Sequence, residues 1–214
     1  MTENEQREIY RYLGYHGETP TDEVQQAVAE CAEEIGRVAR PKSVFREFSL
    51  ALPIEGVVRI DTLSVISRNL ARNLKGCSCV FLMAATLGVE VDRLIARASA
   101  VRMSQAVVYQ AAAAARIEAY CDEINDVLRE EARTQGLYCR PRFSPGYGDF
   151  DIKHQQDIVR LLDTPRQIGL TVTDSLLLAP VKSVTAVIGL SSEPQPCHKN
   201  GCEECGKKNC EYRR

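Results

Sequence analysis

Apolar residues recur at helical spacing in several stretches of this chain, separated by glycine, proline and polar turns. Two apolar stripes carry the clearest predictions: Val24, Val28, Cys31 and Ile35, and later Ile117, Cys121, Ile124 and Leu128. The first of these helices starts in the segment 19–23, where hydroxyl and acidic side chains suit a helix amino terminus. The predicted helices cover about residues 5–13, 22–40, 67–74, 91–98 and 104–134, and another begins near residue 151.

Other stretches alternate apolar and polar residues or are rich in β-branched residues, which is typical of strands. The pattern changes to this type after residue 43, and a fully apolar run at 79–84 predicts a buried strand. The predicted strands lie within residues 43–65, 79–84, 138–142, 169–173 and 184–190. Helices and strands follow one another without a strict β-α-β order, so the pattern predicts an α+β fold.

Apolar periodicity ends near Ser191, and Pro194 and Pro196 follow directly. We therefore expect one α+β domain over residues 1–192 and a separate cysteine-rich tail over residues 193–214.

Composition excludes several classes of protein. The chain has 214 residues, 27 Lys and Arg against 29 Asp and Glu, and a formal net charge of −2, so no nucleic-acid partner is expected. Its amino terminus is polar and acidic, unlike a secretory signal, and its apolar runs are too short for a membrane span. We expect a soluble cytoplasmic protein without a membrane partner.

Nine cysteines in such a protein favour thiols or metal ligands over disulfides. Four of them, Cys197, Cys202, Cys205 and Cys210, form a C-x4-C-x2-C-x4-C pattern in the tail. Four thiolates can enclose zinc, and the first three share the spacing of plant-type ferredoxins, so an iron–sulfur cluster is the alternative. A free or disulfide-forming tail and a Cys202–Cys205 dithiol pair are the metal-free alternatives.

The candidate binding motif lies between a predicted strand and the helix that begins near residue 151. It reads Arg142-Phe-Ser144-Pro145-Gly146-Tyr147-Gly148-Asp149. Pro145 fixes a backbone dihedral, whereas Gly146 and Gly148 allow backbone conformations that other residues avoid. The guanidinium of Arg142 can bind a carboxylate through two parallel hydrogen bonds, with the ring of Tyr147 beside it.

The pattern Arg-x-x-x-Gly-Tyr resembles the S-adenosylmethionine-binding motif of the activation domain of cobalamin (vitamin B12)-dependent methionine synthase. The following sequence is similar too, with an amphipathic helix, Ile168-Gly169, an apolar run ending at Pro180, and Ser183-Val-Thr-Ala. Upstream, Glu118-Ala-Tyr resembles a Glu-Ala-Phe element whose Glu lines the cofactor pocket of that family. The family's Tyr pair after its last strand is replaced here by Ser191-Ser-Glu-Pro194.

The resemblance implies an activation domain-like fold, mainly an antiparallel twisted sheet packed with long helices, and a role in reactivation. Arg142 would bind the ligand carboxylate. Ser144 and Gly146, on either side of Pro145 in the cofactor-binding loop, would offer backbone contacts, and Tyr147 would pack near the ligand and the corrin. Glu118 would accept its ammonium or ribose. The cobalamin would be held by a partner methionine synthase or related methyltransferase, with a flavodoxin-like or ferredoxin-like electron donor.

Two other functions remain open at this stage. Loss of the Tyr pair would suit a metal-binding adaptor that docks on a cobalamin methyltransferase without S-adenosylmethionine. A zinc-dependent nucleic-acid binder is disfavoured by the charge balance.

Near the motif, we expect His154 to face solvent, and Asp149 and Asp151 to cap the helix that begins there.

Overall fold

The computed structural model describes residues 1–194. The expected metal ligands at Cys197, Cys202, Cys205 and Cys210, and most of the predicted tail, lie outside these residues. No helix within residues 1–194 is both long and apolar enough to cross a membrane. The helices are α1 (Glu3–Tyr12), α2 (Asp22–Val38), α3 (Arg68–Asn73), α4 (Val89–Val101), α5 (Met103–Thr134), α6 (Gln155–Leu162) and α7 (Thr164–Ile168).

The strands form an antiparallel six-stranded sheet with the order β3-β2-β1-β4-β8-β5, and a small antiparallel pair of β6 and β7. This arrangement confirms the expected α+β class. The strands are β1 (Lys42–Ala51), β2 (Val57–Ile60), β3 (Leu63–Ile66), β4 (Cys77–Thr86), β5 (Tyr138–Cys139), β6 (Thr171–Val172), β7 (Leu178–Ala179) and β8 (Ser183–Ser191).

Strand β4 lies at the centre of the sheet and contributes to two hydrophobic cores, one on each face. Phe81 and Met83 belong to a core formed with helices α1, α2, α4 and α5. Val80 and Leu82 point to the other face, where α3, α6 and α7 contribute buried residues. Because successive side chains of a strand alternate between faces, one apolar run can serve both cores.

Helix α5 is the longest helix of the described residues, and it packs against α1, α2 and α4 and across β4 and β8. Its alanine run, Ala111 to Ala115, contains four buried residues. Small side chains allow the helix to lie close to its neighbours. This packing brings the polar stripe of α5 that contains Glu118 beside the loop that follows β5.

Two predicted elements near the motif differ from the structure. The strand expected over residues 138–142 ends at Cys139, because Pro141 has no amide hydrogen to donate to the sheet. The helix expected near residue 151 begins as a 3₁₀ turn, Ile152–His154, before α6.

Candidate functional site

The candidate loop, residues 142–150, leaves the edge of the six-stranded sheet at Phe143. The Phe143 amide donates to the Val187 carbonyl at 2.9 Å, and the Val187 amide donates to the Phe143 carbonyl at 2.9 Å. These two hydrogen bonds hold the start of the loop against β8. Arg142 is therefore held at the sheet edge, directly before the turn.

The turn is closed by its own backbone. The Gly146 amide donates to the Phe150 carbonyl at 2.7 Å, and the Tyr147 amide donates to the Ser144 carbonyl at 3.2 Å. Pro145 is part of this turn and is buried. Because the amide of Gly146 is used within the loop, a ligand contact from this residue has to come from its carbonyl oxygen.

Gly146 adopts a φ of 93°, a backbone conformation that side chains with a β-carbon rarely adopt. A β-carbon added there would also lie 3.0 Å from the Cδ1 atom of Ile152. Gly148 has a φ of 56°, and a β-carbon there would clash with the side chain of Asn69. Both glycines of the motif are thus required by the shape of the loop.

Asp149 caps a different helix from the one expected. Its carboxylate accepts hydrogen bonds from the Arg68 amide at 2.8 Å, the Asn69 amide at 3.1 Å and the Ser67 hydroxyl. The Ser67 hydroxyl and these amides lower the pKa of Asp149 below its ordinary value. Asp149 thus ties the loop to the amino terminus of α3, whereas Asp151 caps the 3₁₀ turn through the Lys153 amide at 3.0 Å.

Two aromatic rings of the loop and the ring of His154 stack on one another. Phe143 stacks on Phe150 with ring centroids 6.3 Å apart, and Phe150 stacks on His154 at 5.8 Å. His154 is buried, so the expectation that it faces solvent is wrong. Its Nδ1 atom lies 3.0 Å from Asp157, which satisfies the buried ring.

Arg142 lies against helix α5, where two carboxylates face it. Its Nη2 atom donates to the Oε2 atom of Glu118 at 2.8 Å, and its Nη1 atom lies 3.0 Å from the Oδ1 atom of Asp122. The Arg142 side chain is 19% exposed, against 61% for Asp122. The structure thus brings together two of the predicted site residues, Arg142 and Glu118.

The Nη1 atom of Arg142 is buried without a hydrogen-bond acceptor among the described residues. Its 3.0 Å contact with Asp122 is therefore an ion pair in which no N–H bond points at the carboxylate oxygen. A buried donor without an acceptor costs free energy, roughly 1–3 kcal/mol. Arg142 thus retains a donor that is suited to an additional oxygen atom.

A small cavity adjoins Arg142 and is lined by residues of α5, β5, β8 and the segment that follows β5. Its volume is ≈ 20 Å³, room for about one water molecule. A nucleoside is far larger and would have to lie on a more open surface of the site. The lining residues are Asn125, Leu128, Arg129, Cys139, Arg140, Pro141, Arg142 and Ile188.

Cys121 lies on α5 one turn from Glu118 and next to Asp122, and it is buried in the hydrophobic core. Burial raises the pKa of the Cys121 thiol to about 12, with the two neighbouring carboxylates adding to the rise and Arg142 opposing it. This thiol stays protonated near neutral pH, which makes it a packing residue and not a nucleophile.

Asp122 was not recognised from the sequence as a residue of this site. It follows Glu118 by four positions, so both side chains lie on one face of α5. That spacing was the signal that could have found it, once Glu118 was placed beside Arg142.

Tyr147, in contrast, is 67% exposed and extends outward from the loop.

No group of three or more residues within 1–194 is arranged to hold a metal ion. The five cysteines of this part of the chain carry free thiols, and they are Cys31, Cys77, Cys79, Cys121 and Cys139. The expected metal ligands of the tail lie beyond residue 194, so the zinc and iron–sulfur alternatives both remain predictions.

The sequence and the fold were compared with known proteins. The family model described as vitamin B12 dependent methionine synthase, activation domain, matches residues 87–211, more than half of the chain. A search of curated proteins found no match. The fold is similar to that of a crystal structure of the MetH reactivation domain bound to AdoHcy, with a TM-score of 0.65, 15% identity, and coverage of 89% of this chain and 76% of that chain. The chain therefore belongs to the family of vitamin B12 dependent methionine synthase activation domains.

Proposed function

We propose that this protein binds S-adenosylmethionine at Arg142 and supports the reductive methylation of cobalamin held by a partner methyltransferase. The observation that carries the proposal is the buried Nη1 donor of Arg142 without a hydrogen-bond acceptor in residues 1–194. Family membership and the AdoHcy bound to the similar reactivation domain support the choice of ligand.

The ligand carboxylate would accept a hydrogen bond from the free donor of Arg142. A guanidinium and a carboxylate form short, charge-assisted hydrogen bonds with fixed geometry. The Phe143–Val187 hydrogen bonds fix the backbone next to Arg142, and the contacts with Glu118 and Asp122 restrain its side chain. Less side-chain freedom is therefore lost on binding. Arg142 is in this proposal the residue that orients the methionine end.

The ammonium group of the ligand would bind the carboxylate of Glu118, which already lies 2.8 Å from Arg142. The positive side chain of Arg142 and the adjacent negative side chain of Glu118 complement the carboxylate and the ammonium of an amino acid, respectively. Tyr147 would present its exposed ring beside the ligand, at the surface where a partner approaches. Ser144, Pro145 and Gly146 shape the turn between these two contacts.

When the partner is docked, its cobalamin would supply the reduced cobalt that accepts the methyl group. The residues of this chain bind and orient the methyl donor and leave its sulfonium accessible to the partner. A flavodoxin-like or ferredoxin-like protein is the proposed source of the electron. The partner is a methionine synthase or a related cobalamin-dependent methyltransferase.

Calorimetry with S-adenosylmethionine tests the proposal on wild type and Arg142→Ala. The matched control is Arg116→Ala. Arg116 lies on α5 and, like Arg142, contacts two carboxylates, those of Glu5 and Glu123. We expect binding to weaken at least ten-fold in Arg142→Ala and within two-fold in Arg116→Ala, because removing a charged hydrogen bond costs about 1.5–3 kcal/mol. Absence of binding to wild type would favour the adaptor alternative instead.

A further inference from the structure

Asp122 faces the guanidinium of Arg142 from the turn of α5 that follows Glu118. Arg142, Glu118 and Asp122 contribute one positive and two negative charges, a net charge of −1 for these three groups. Two nearby arginines have other partners among the described residues. Arg129 pairs with Asp126, and the Nη2 atom of Arg140 donates to the Lys75 carbonyl at 3.2 Å and the Ser191 hydroxyl at 3.4 Å.

We propose that Asp122 makes this site selective for the positively charged sulfonium S-adenosylmethionine over its neutral thioether product, S-adenosylhomocysteine. This inference rests on the proposed function. Both compounds carry the same carboxylate and ammonium, so one guanidinium and one carboxylate suffice for their shared amino-acid end. The amino-acid end does not require the second carboxylate, that of Asp122. Its negative charge complements the additional positive charge of the sulfonium.

Only a short methylene chain separates the sulfonium from the α-carbon, so it stays close to the charges that hold the amino-acid end. Asp122 is largely exposed, and water screens its attraction for a nearby cation. Its effect on selectivity should therefore be modest, about three- to ten-fold in the ratio of dissociation constants. Selectivity of this kind would favour release of the product after methyl transfer.

Asp122 also competes with the ligand carboxylate for Arg142. This competition is the same for both compounds, because both carry that carboxylate. It therefore cancels in the ratio of their dissociation constants, which reports the sulfonium charge alone. Removing Asp122 should consequently strengthen binding of the thioether or leave it unchanged.

The test is calorimetry of S-adenosylmethionine and S-adenosylhomocysteine on wild type, Asp122→Asn and the control Asp126→Asn, at 50 and 300 mM KCl. Asp126 lies one helical turn further along α5 and its side chain is 75% exposed, so the same charge is removed outside the Arg142 contact. We expect the sulfonium preference to fall about three- to ten-fold in Asp122→Asn and less than two-fold in Asp126→Asn. High salt should reduce the wild-type preference.

Three results would overturn this role. They are a wild type without preference for the sulfonium, an Asp122→Asn variant with an unchanged preference, and an equal loss in Asp126→Asn. In each case wild type still binds the ligands, and the proposed function stands. If wild type binds neither compound, the proposed function fails and Asp122 loses its role with it. Because Asp122 is exposed, the variant should retain the wild-type melting temperature, which confirms that it is folded.

Discussion

The Nη2 atom of Arg142 lies 2.8 Å from the Oε2 atom of Glu118, and this ion pair joins the loop to the middle of helix α5. Twenty-four residues separate the two in sequence. The contact joins the group proposed to bind the ligand carboxylate to the group proposed to bind its ammonium.

Glu118→Gln should weaken S-adenosylmethionine binding roughly ten-fold, since a neutral amide replaces the charged partner of the ammonium. The free energy of unfolding should change by less than about 1 kcal/mol, because the ion pair is partly solvated. Calorimetry and chemical denaturation measure the two effects separately. A large loss of stability with unchanged affinity would instead make Glu118 a structural residue.

Asp149→Asn should detach the loop from α3. The hydrogen bonds from Ser67 and the α3 amides hold the pKa of Asp149 below its ordinary 3.8 in the folded protein. The unfolded chain therefore takes up this proton first, and the stabilisation is present above about pH 4 and is lost as the pH falls further. Denaturation between pH 2.5 and 7 should show a shallower acid decline in the variant.

At pH 7 the same variant should lose about 0.5–1 kcal/mol, the range of an exposed helix cap. Asp126→Asn, at a solvent-facing position of α5, should stay within about 0.5 kcal/mol of wild type. Equal acid declines in wild type and Asp149→Asn would show that the Asp149 carboxylate does not couple the loop to α3.

Tyr147→Ala should leave stability within about 0.5 kcal/mol of wild type, because the side chain is largely exposed. Methyl transfer to the partner's cobalamin should nevertheless fall, since we propose that the ring lies where ligand and partner meet. Tyr12→Ala, a tyrosine of α1 that is 36% exposed, is the control for loss of an aromatic surface residue. Comparable losses of methyl transfer in both variants would count against a local role for Tyr147.

The cysteine pattern of the tail predicts one metal centre per chain, bound by Cys197, Cys202, Cys205 and Cys210. Anaerobic purification with metal analysis should find about one zinc, or iron with sulfide and a visible band that bleaches on reduction. Cys202→Ser with Cys205→Ser should remove the metal, whereas Cys31→Ser should not. Metal-free protein with four reactive tail thiols would refute the prediction.

Much of the fold was predictable because periodic patterns depend on local chemistry. The 3.6-residue stripe of Ile117, Cys121, Ile124 and Leu128 is buried on α5, as expected. The apolar run of β4 lies in the central strand with residues on both faces. The predicted strand over residues 138–142 was too long, since β5 ends at Cys139. Pro141 interrupts the strand pairing, although the side chains around it resemble those of a strand.

The site was predictable only in part, since its contacts join distant segments. Arg142 and Glu118 were identified by resemblance, and the structure brings them together. Asp149 was assigned to the nearest helix start, but its carboxylate reaches the α3 amino terminus 80 residues earlier in the chain. His154 looked like a surface residue because no local pattern indicates that Phe150 stacks on it.

Transfer of a labelled methyl group to cobalamin is the decisive test of whether Arg142 holds the methyl donor. The protein is incubated with methyl-labelled S-adenosylmethionine, a strong reductant and a cobalamin-loaded methyltransferase, and the label on cobalamin is counted. We expect rapid labelling with wild type, at least ten-fold slower labelling with Arg142→Ala, and a near-normal rate with Arg116→Ala. Equal labelling with and without the Arg142 guanidinium, or none above the protein-free background, would contradict it.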